Sequence, residues 1–326
     1  MSTDLRPIFI LSLPRTGSTL TQRVLAAHKD IIATVAEPHI LLYYLSLWKE
    51  KGTYSTHSHL WNAMACQDFC ESLPDGVDDY FAELRAFTLR LYARAAKGDA
   101  KYFVDKTGRH DQIPQEIINL FPHGKFIFLW RNPLSVVSSI LKTWGGGRWN
   151  LWHWEIDLFE GLDQLIAAYE KHKTRACAVR YEDLVSGSEE EWQRVFAYLE
   201  LPFDAKVLSR FVDVQLEGRI RDPTMGQYQA LSQAPLEKWK LVLANPIRKA
   251  WCRGYLRWIG KERLAVMGYD LDELLAELDA LPFSLRYAGS DMWRMPFGIA
   301  YKILEFRIMK QKLQALLAGK RIYVHT

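Results

Sequence analysis

Five short apolar runs, most of them followed by a segment of helical period, leave this chain very few architectures. The runs are Pro7–Leu13 (PIFILSL), Ile31–Ala36 (IIATVA), Lys101–Asp105 (KYFVD), Lys125–Trp130 (KFIFLW) and Ala176–Arg180 (ACAVR). They largely lack the polar–apolar alternation of a half-exposed strand, so they predict strands buried on both faces. Ser18–His28, residues 40–50 and 78–97, Gln115–Phe121, Leu134–Thr143, and residues 155–172 and 189–200 read as helices. In the first of these Leu20, Val24 and Leu25 share one face, and Pro133 stands where the first turn of a helix tolerates proline. Strands separated by helices mean right-handed crossovers and an α/β fold, with a central mostly parallel sheet flanked by helices in three layers. Beyond residue 204 the strand signal fades and helices dominate. Residues 215–235 carry Gly, Pro, Gln and Ser without a period and read as a surface loop. The stretch between residues 50 and 78 has a mixed pattern that assigns it to no element.

A chain of 326 residues, 49% of them hydrophobic, can bury a sizeable core without disulfides or metals. Its formal charge of +4 is too small to mark a strongly cationic nucleic-acid binder and suits an anionic small-molecule ligand. Cys66, Cys70, Cys177 and Cys252 form no C-x-x-C pair and no zinc spacing. They read as small buried apolar residues in a reducing compartment. The N-terminus shows no signal-peptide pattern, and no run reaches the ~18 apolar residues of a membrane span. The expected location is cytoplasmic, with peripheral contact at the inner face of a membrane left open.

The strongest local signal is Leu13-Pro14-Arg15-Thr16-Gly17-Ser18-Thr19, between a buried strand and a helix. A Gly-containing turn there presents backbone N–H groups at a helix N-terminus, which makes an anion site. Ser18 and Thr19 can add hydroxyl donors and Arg15 a cationic fork. The same residues also suit a plain capped helix after a tight turn. A Walker A loop would read G-x-x-x-x-G-K-[ST], and neither its glycine spacing nor its Gly-Lys pair is met. In open parallel sheets, ligands bind beyond the carboxyl ends of the strands. Here those ends deliver the Arg15 loop, Glu37, Lys106, Arg131 and Tyr181 to one edge. Ser139, eight residues after Arg131 on the next helix, could grip the same phosphate from a second side. Alternatively, Arg131 caps the sheet edge and pairs with a surface carboxylate.

These residues resemble a known family. Pro14–Leu20 resembles the 5′-phosphosulfate loop of sulfotransferases that use 3′-phosphoadenosine 5′-phosphosulfate (PAPS). Lys125–Pro133 with Ser139 resembles their 3′-phosphate-binding strand and helix. The tyrosylprotein-sulfotransferase-like branch is the most similar: Ala26-Ala27-His28, Glu37, Phe103–Lys106, Val179–Leu184 and Leu236–Trp239 look like its segments. The resemblance runs patchily from about residue 7 to 270 and implies a P-loop-like fold with PAPS as co-substrate and no metal. It implies that Arg15, Thr16, Gly17, Ser18 and Thr19 hold the 5′-phosphosulfate, and that Arg131 and Ser139 hold the 3′-phosphate. Tyr181 and Lys238 would close the nucleotide pocket. Glu37 matches the branch's catalytic base, Lys106 the lysine on the bridging oxygen, and Arg15 a stabiliser of the sulfuryl group. The chain departs from the pattern where a further arginine is expected: Thr143 stands there, beside Lys142. A later hydroxyl contact falls near Thr224.

The expected reaction moves a sulfuryl group onto an acceptor hydroxyl by in-line displacement, mainly through positioning and preorganised charge. His39 competes with Glu37 as base, and His110 is a weaker rival. The acceptor could be a small molecule, a glycan or a peptide, met by aromatic-rich residues 40–70 and 144–159 and the 215–235 loop. Trp144, Trp149, Trp152 and Trp154 could line an acceptor pocket or pack in the core. A nucleotide or small-molecule kinase and a non-catalytic nucleotide- or membrane-binding module are the alternatives. Residues 1–290 are expected to form the catalytic domain. Residues 291–326 form a basic amphipathic extension, with Ile299, Ile303, Phe306, Leu313 and Leu317 at helical spacing among Lys302, Arg307, Lys310, Lys312, Lys320 and Arg321. Such a helix can lie on an anionic membrane, pack on the domain or meet a second subunit.

Overall fold

The computed structural model describes residues 5–28, 32–46, 59–96, 100–216, 230–304, 306–317 and 319. Five strands form one sheet: β1 (Arg6–Leu11), β2 (Ile32–Thr34), β3 (Tyr102–Asp105), β4 (Lys125–Trp130) and β5 (Ala176–Arg180). Their order is β2-β3-β1-β4-β5, and every pairing is parallel. β1 is central. The chain leaves it for the β2 edge, returns through β3, then crosses over to β4 on the other side. That reversal puts the carboxyl end of β1 at the switch point of the sheet, where this architecture binds ligands.

The apolar runs hide an alternation of size rather than of polarity. Phe9, Leu11, Phe103, Phe126, Phe128 and Trp130 point into one core. Ile8, Ile10, Val104, Ile127, Leu129 and Val179 point into the other. One face is thus largely aromatic and the other aliphatic, and each is covered by helices. On the aliphatic side lie α1 (Ser18–Ala26) and, after the short helices α2 (Ile40–Ser46) and α3 (His59–Glu71), segments from much later in the chain. The aromatic side takes α2 itself, α4 (Val77–Ala95), α5 (Pro114–Leu120), α6 (Pro133–Gly145) and α7 (Leu162–His172). Next come α8 (Tyr181–Leu184), α9 (Glu190–Tyr198) and α10 (Val207–Arg210), which complete the aliphatic side. Then α11 (Lys238–Leu243), α12 (Pro246–Val266) and α13 (Leu271–Asp279) thicken the aromatic side.

Two more helices follow: α14 (Ala288–Leu304) and α15 (Phe306–Leu317). The start of α14 is tied into the body. Asp291 accepts from Arg248 Nε at 2.6 Å and Nη2 at 2.9 Å, and both side chains are fully buried. Asn245 also donates to Asp291 while its own oxygen caps α12. Removing one partner of such a pair strands the other charge in the interior. The expected surface loop at 215–235 and Thr224 lie mostly outside the described residues. No helix among the described residues is long and apolar enough to cross a membrane.

Candidate active site

The turn after β1 is braced from within and covered from three sides. Thr16 Oγ1 donates to the Leu13 carbonyl at 2.9 Å, so this buried hydroxyl shapes the turn itself. Gly17 adopts φ 101° and is the N-cap of α1. A Cβ at this position would lie 2.3 Å from a Tyr181 ring carbon, and the backbone there is left-handed, so glycine is required twice over. Gly17→Ala should destabilise the fold by about 1–3 kcal/mol through strain and overpacking. Urea unfolding followed by tryptophan fluorescence measures this, and an unchanged midpoint would show that Tyr181 does not press on the turn.

Gly17 brings no capping side chain, and the first turn of α1 has no acidic residue. The orphan amides of that turn and the helix dipole therefore favour an anion. Arg131 closes over the same turn. β4 ends at Trp130, Asn132 caps α6 by accepting from Leu134 N, and Pro133 opens the helix. Arg131 is thus held between a strand end and a helix cap. Its Nη1 donates to the Arg15 carbonyl at 2.8 Å, and its guanidinium lies 4.3 Å from the Tyr181 ring centroid. Arg131 Nε is buried without a hydrogen-bond partner. Arg15 Nε donates to Ser139 Oγ at 3.2 Å, and its guanidinium sits 5.4 Å from the Trp144 ring centroid. The turn, Arg131, Ser139 and Tyr181 therefore meet in one place.

The second half of the site follows from strand order. Because β2 pairs with β3, their exits are neighbours, and Lys106 forms an ion pair with Glu37. The other carboxylate oxygen of Glu37 accepts from His39 Nε2 at 3.2 Å and from the Gly108 amide at 3.1 Å. Burial alone would raise the Glu37 pKa. The His39 hydrogen bond, the Lys106 charge and the Gly108 amide outweigh it and hold the carboxyl down at about 2. His39 thus serves Glu37 rather than standing apart from it. His110 is fully buried, burial pushes its pKa down, and neither ring nitrogen has a hydrogen-bond partner.

Several positioning groups carried no sequence signal of their own. Gln22 on α1 donates to the Val35 carbonyl at 2.6 Å and the Ala36 carbonyl at 3.1 Å, fixing the backbone just before Glu37. Asp105 is fully buried, accepts from Tyr92 Oη, and accepts from Thr107 Oγ1 at 2.8 Å. Thr107 Oγ1 in turn accepts from the His39 amide at 3.2 Å. Glu182 accepts from the Asn132 amide at 3.0 Å and from Tyr269 Oη at 2.6 Å, locking the residue after Arg131. The available hints were that Asp105 lies in the Phe103–Lys106 segment and Glu182 in the Val179–Leu184 segment, both of which carry the family resemblance.

Two expected pocket residues stand apart. Lys238 is exposed at the start of α11, and no hydrogen bond or ion pair joins its side chain to the described site residues, although α11 packs on α6. Thr143, where an arginine was expected, is half-buried on α6 with Lys142 exposed beside it. The tryptophans divide: Trp149 is core, whereas Trp144 is exposed and stacks on Trp154 with centroids 3.9 Å apart.

The sequence profile of the Sulfotransferase family matches residues 7–205, which contain every site residue above except Lys238 and the distant Tyr269. The nodulation protein NoeE of Sinorhizobium fredii is 28% identical over 226 residues, 61% of this chain and 52% of its own length. Protein-tyrosine sulfotransferase A of Caenorhabditis elegans is 23% identical over 296 residues, 87% of this chain and 67% of its own. The chain therefore spans about half the length of NoeE and two thirds of the worm protein. The sulfotransferase domain from the curacin biosynthetic pathway superposes with a TM-score of 0.51 at 22% identity, over 74% of this chain and 92% of that domain. That likeness bears on the fold.

Proposed function

This chain belongs to the sulfotransferase family, and from that premise we propose that it transfers a sulfuryl group from PAPS to an acceptor hydroxyl, with Glu37 as general base. The observation that carries the reading is that β1 and β3 pair in parallel, so the Glu37–Lys106 ion pair and an anion-favouring turn that Arg131 closes stand at neighbouring strand exits. The donor fits the residues present. The orphan amides after Gly17, Arg15 and the Ser18 and Thr19 hydroxyls suit the 5′-phosphosulfate, while Thr16 braces the turn. Arg131, with its unpartnered Nε, and Ser139 suit the 3′-phosphate. Tyr181 walls the nucleotide, and Lys238 would reach it only by a movement of its exposed side chain.

When bound, the donor supplies a sulfur electrophile and a phosphate leaving group. The acceptor oxygen forms a bond to sulfur as the bond from sulfur to the 5′-phosphate oxygen breaks, and that oxygen keeps the electron pair. Glu37 takes the acceptor proton on a carboxylate oxygen. Lys106 and Arg15 stabilise negative charge developing on the leaving oxygen and the sulfuryl group. A carboxylate paired with an ammonium is a weak base, so the resting pair acts as a latch. An anion near Lys106 draws the ammonium off, and Glu37 gains basicity just when an acceptor proton must move.

This latch has a pH signature. Glu37 titrates near 2 in the fold against an ordinary 4.5. A depressed acid contributes stability above its unfolded pKa and loses it as pH falls through the folded value. The unfolding free energy of the wild type should exceed that of Glu37→Gln by a constant margin above pH 4.5, shrinking towards pH 2. A margin that does not change with pH would remove the ion pair from the account.

The function itself is tested by thermal-shift titration with PAPS, its desulfated product and ATP, followed by radiolabelled sulfate transfer into candidate acceptors. The reading expects stabilisation by the first two and label in a hydroxyl-bearing product. Stabilisation by ATP alone, with phosphate transfer, would replace it with a kinase.

A further inference from the structure

The C-terminal helices leave an apolar stripe that the catalytic reading does not use. On α14 one face is bound to the body. Asp291 pairs with Arg248, Arg294 Nε donates to the Trp149 carbonyl at 2.7 Å, Gly298 packs against Trp152, and Lys302 pairs with Glu155. These positions recur at three- and four-residue spacing, as one side of a helix does. Met292, Ile299 and Ile303 share a different, exposed side of α14, and on α15 Met309, Leu313 and Leu317 recur at four-residue spacing. Exposure of these six runs from 53% at Leu313 to 79% at Leu317. Trp293, beside the stripe, is 60% exposed. A soluble monomer seldom leaves this many apolar side chains of two helices in water without a use for them.

Charge says what covers it. Residues 292–326 hold seven of the chain's 42 Lys and Arg residues and one of its 38 Asp and Glu residues. This segment therefore carries +6, while the rest of the chain nets −2. A second copy docked on the same stripe would face the same positive segment, which opposes an isologous dimer. Nucleic acid would meet the cations but gain little from a row of Ile, Leu and Met side chains. An anionic lipid surface satisfies both features, with apolar side chains entering the acyl boundary and the cations other than Arg294 and Lys302, which are tied to the body, among the headgroups. Neither helix can cross the bilayer, so the pair lies in the interface plane.

We propose that α14 and α15 form an in-plane docking surface for an anionic lipid bilayer. The proposal is independent of the reaction at Glu37. It is tested by co-sedimenting the full chain with phosphatidylcholine vesicles and with vesicles of equal phosphatidylcholine and phosphatidylglycerol. The expected bound fraction is about tenfold higher on the anionic vesicles and falls as salt is raised. A chain carrying Ile303→Glu and Leu317→Glu should stay in the supernatant while keeping its thermal midpoint, because both positions are exposed. Lys310→Glu should weaken binding by about tenfold. Failure of the wild type to sediment with anionic vesicles overturns the proposal, as does sedimentation that the double variant leaves unchanged. Dilution-dependent dimerisation in analytical ultracentrifugation without vesicle binding would also overturn it, assigning the stripe to a second copy. Binding to duplex DNA without vesicle binding would assign the surface to nucleic acid.

Discussion

Glu37→Gln is expected to lower turnover by about 10²–10⁴-fold, the usual contribution of a positioned general base. The desulfated nucleotide should still bind, because the turn, Arg131 and Ser139 are untouched. Glutamine keeps the shape of Glu37 and can still accept from the Gly108 amide, but it cannot take a proton from the acceptor. It also releases Lys106 from its ion pair. Lys106 therefore becomes free to meet a bound anion, and nucleotide affinity should hold or rise slightly. Steady-state kinetics with a calorimetric titration of nucleotide separate the two effects. Near-normal turnover in the variant would pass the base role to His39, whose ring already reaches the same carboxylate. Parallel loss of binding and turnover would mean that Glu37 supports the turn rather than the chemistry.

Arg131→Ala is expected to weaken the nucleotide by about 10²–10³-fold, as when one partner of a desolvated charge pair is removed. The side chain does two things at once. It crosses from the end of β4 to the Arg15 carbonyl, and it stacks on Tyr181, which itself presses on Gly17. The loss should appear in donor binding far more than in the maximal rate at saturating donor. Arg131→Lys keeps the charge but not the planar fork, so it should recover only part of the affinity. A change confined to the maximal rate would contradict a donor-binding role.

The sequence made most of the framework legible. β4 and β5 begin and end where their apolar runs do, because each run is bounded by turn residues or charge; β4 is buried on both faces, whereas β5, at the sheet edge, alternates buried and half-buried residues. Among the described residues β2 ends at Thr34 rather than at residue 36, since an edge strand pairs on one side and its run goes on into the segment that Gln22 holds. α3 had no readable period and went unassigned. The glycines at 145–147 form a helix end: Gly145 closes α6, and Gly146 caps it at φ 57°.

The parts of the site that strands deliver were visible one at a time, because strand exits show as a polar residue after an apolar run. Which of them pair with one another was not. Glu37 and Lys106 are 69 residues apart, and their pairing depends on β2 lying beside β3, an order that parallel crossovers do not dictate from sequence. Asp105 reads as a polar strand end, yet it is fully buried and satisfied by Tyr92 and Thr107. The Arg248–Asp291 pair was equally hidden, since nothing local distinguishes a buried charge from a solvated one.

The most direct measurement is a crystal structure of the chain with the desulfated nucleotide. The account predicts its 5′-phosphate on the Gly17–Thr19 amides, its 3′-phosphate between Arg131 and Ser139, and Lys106 turned from Glu37 towards the 5′ end. Nucleotide bound elsewhere, or bound with Arg131 more than a hydrogen bond away from either phosphate, would contradict it.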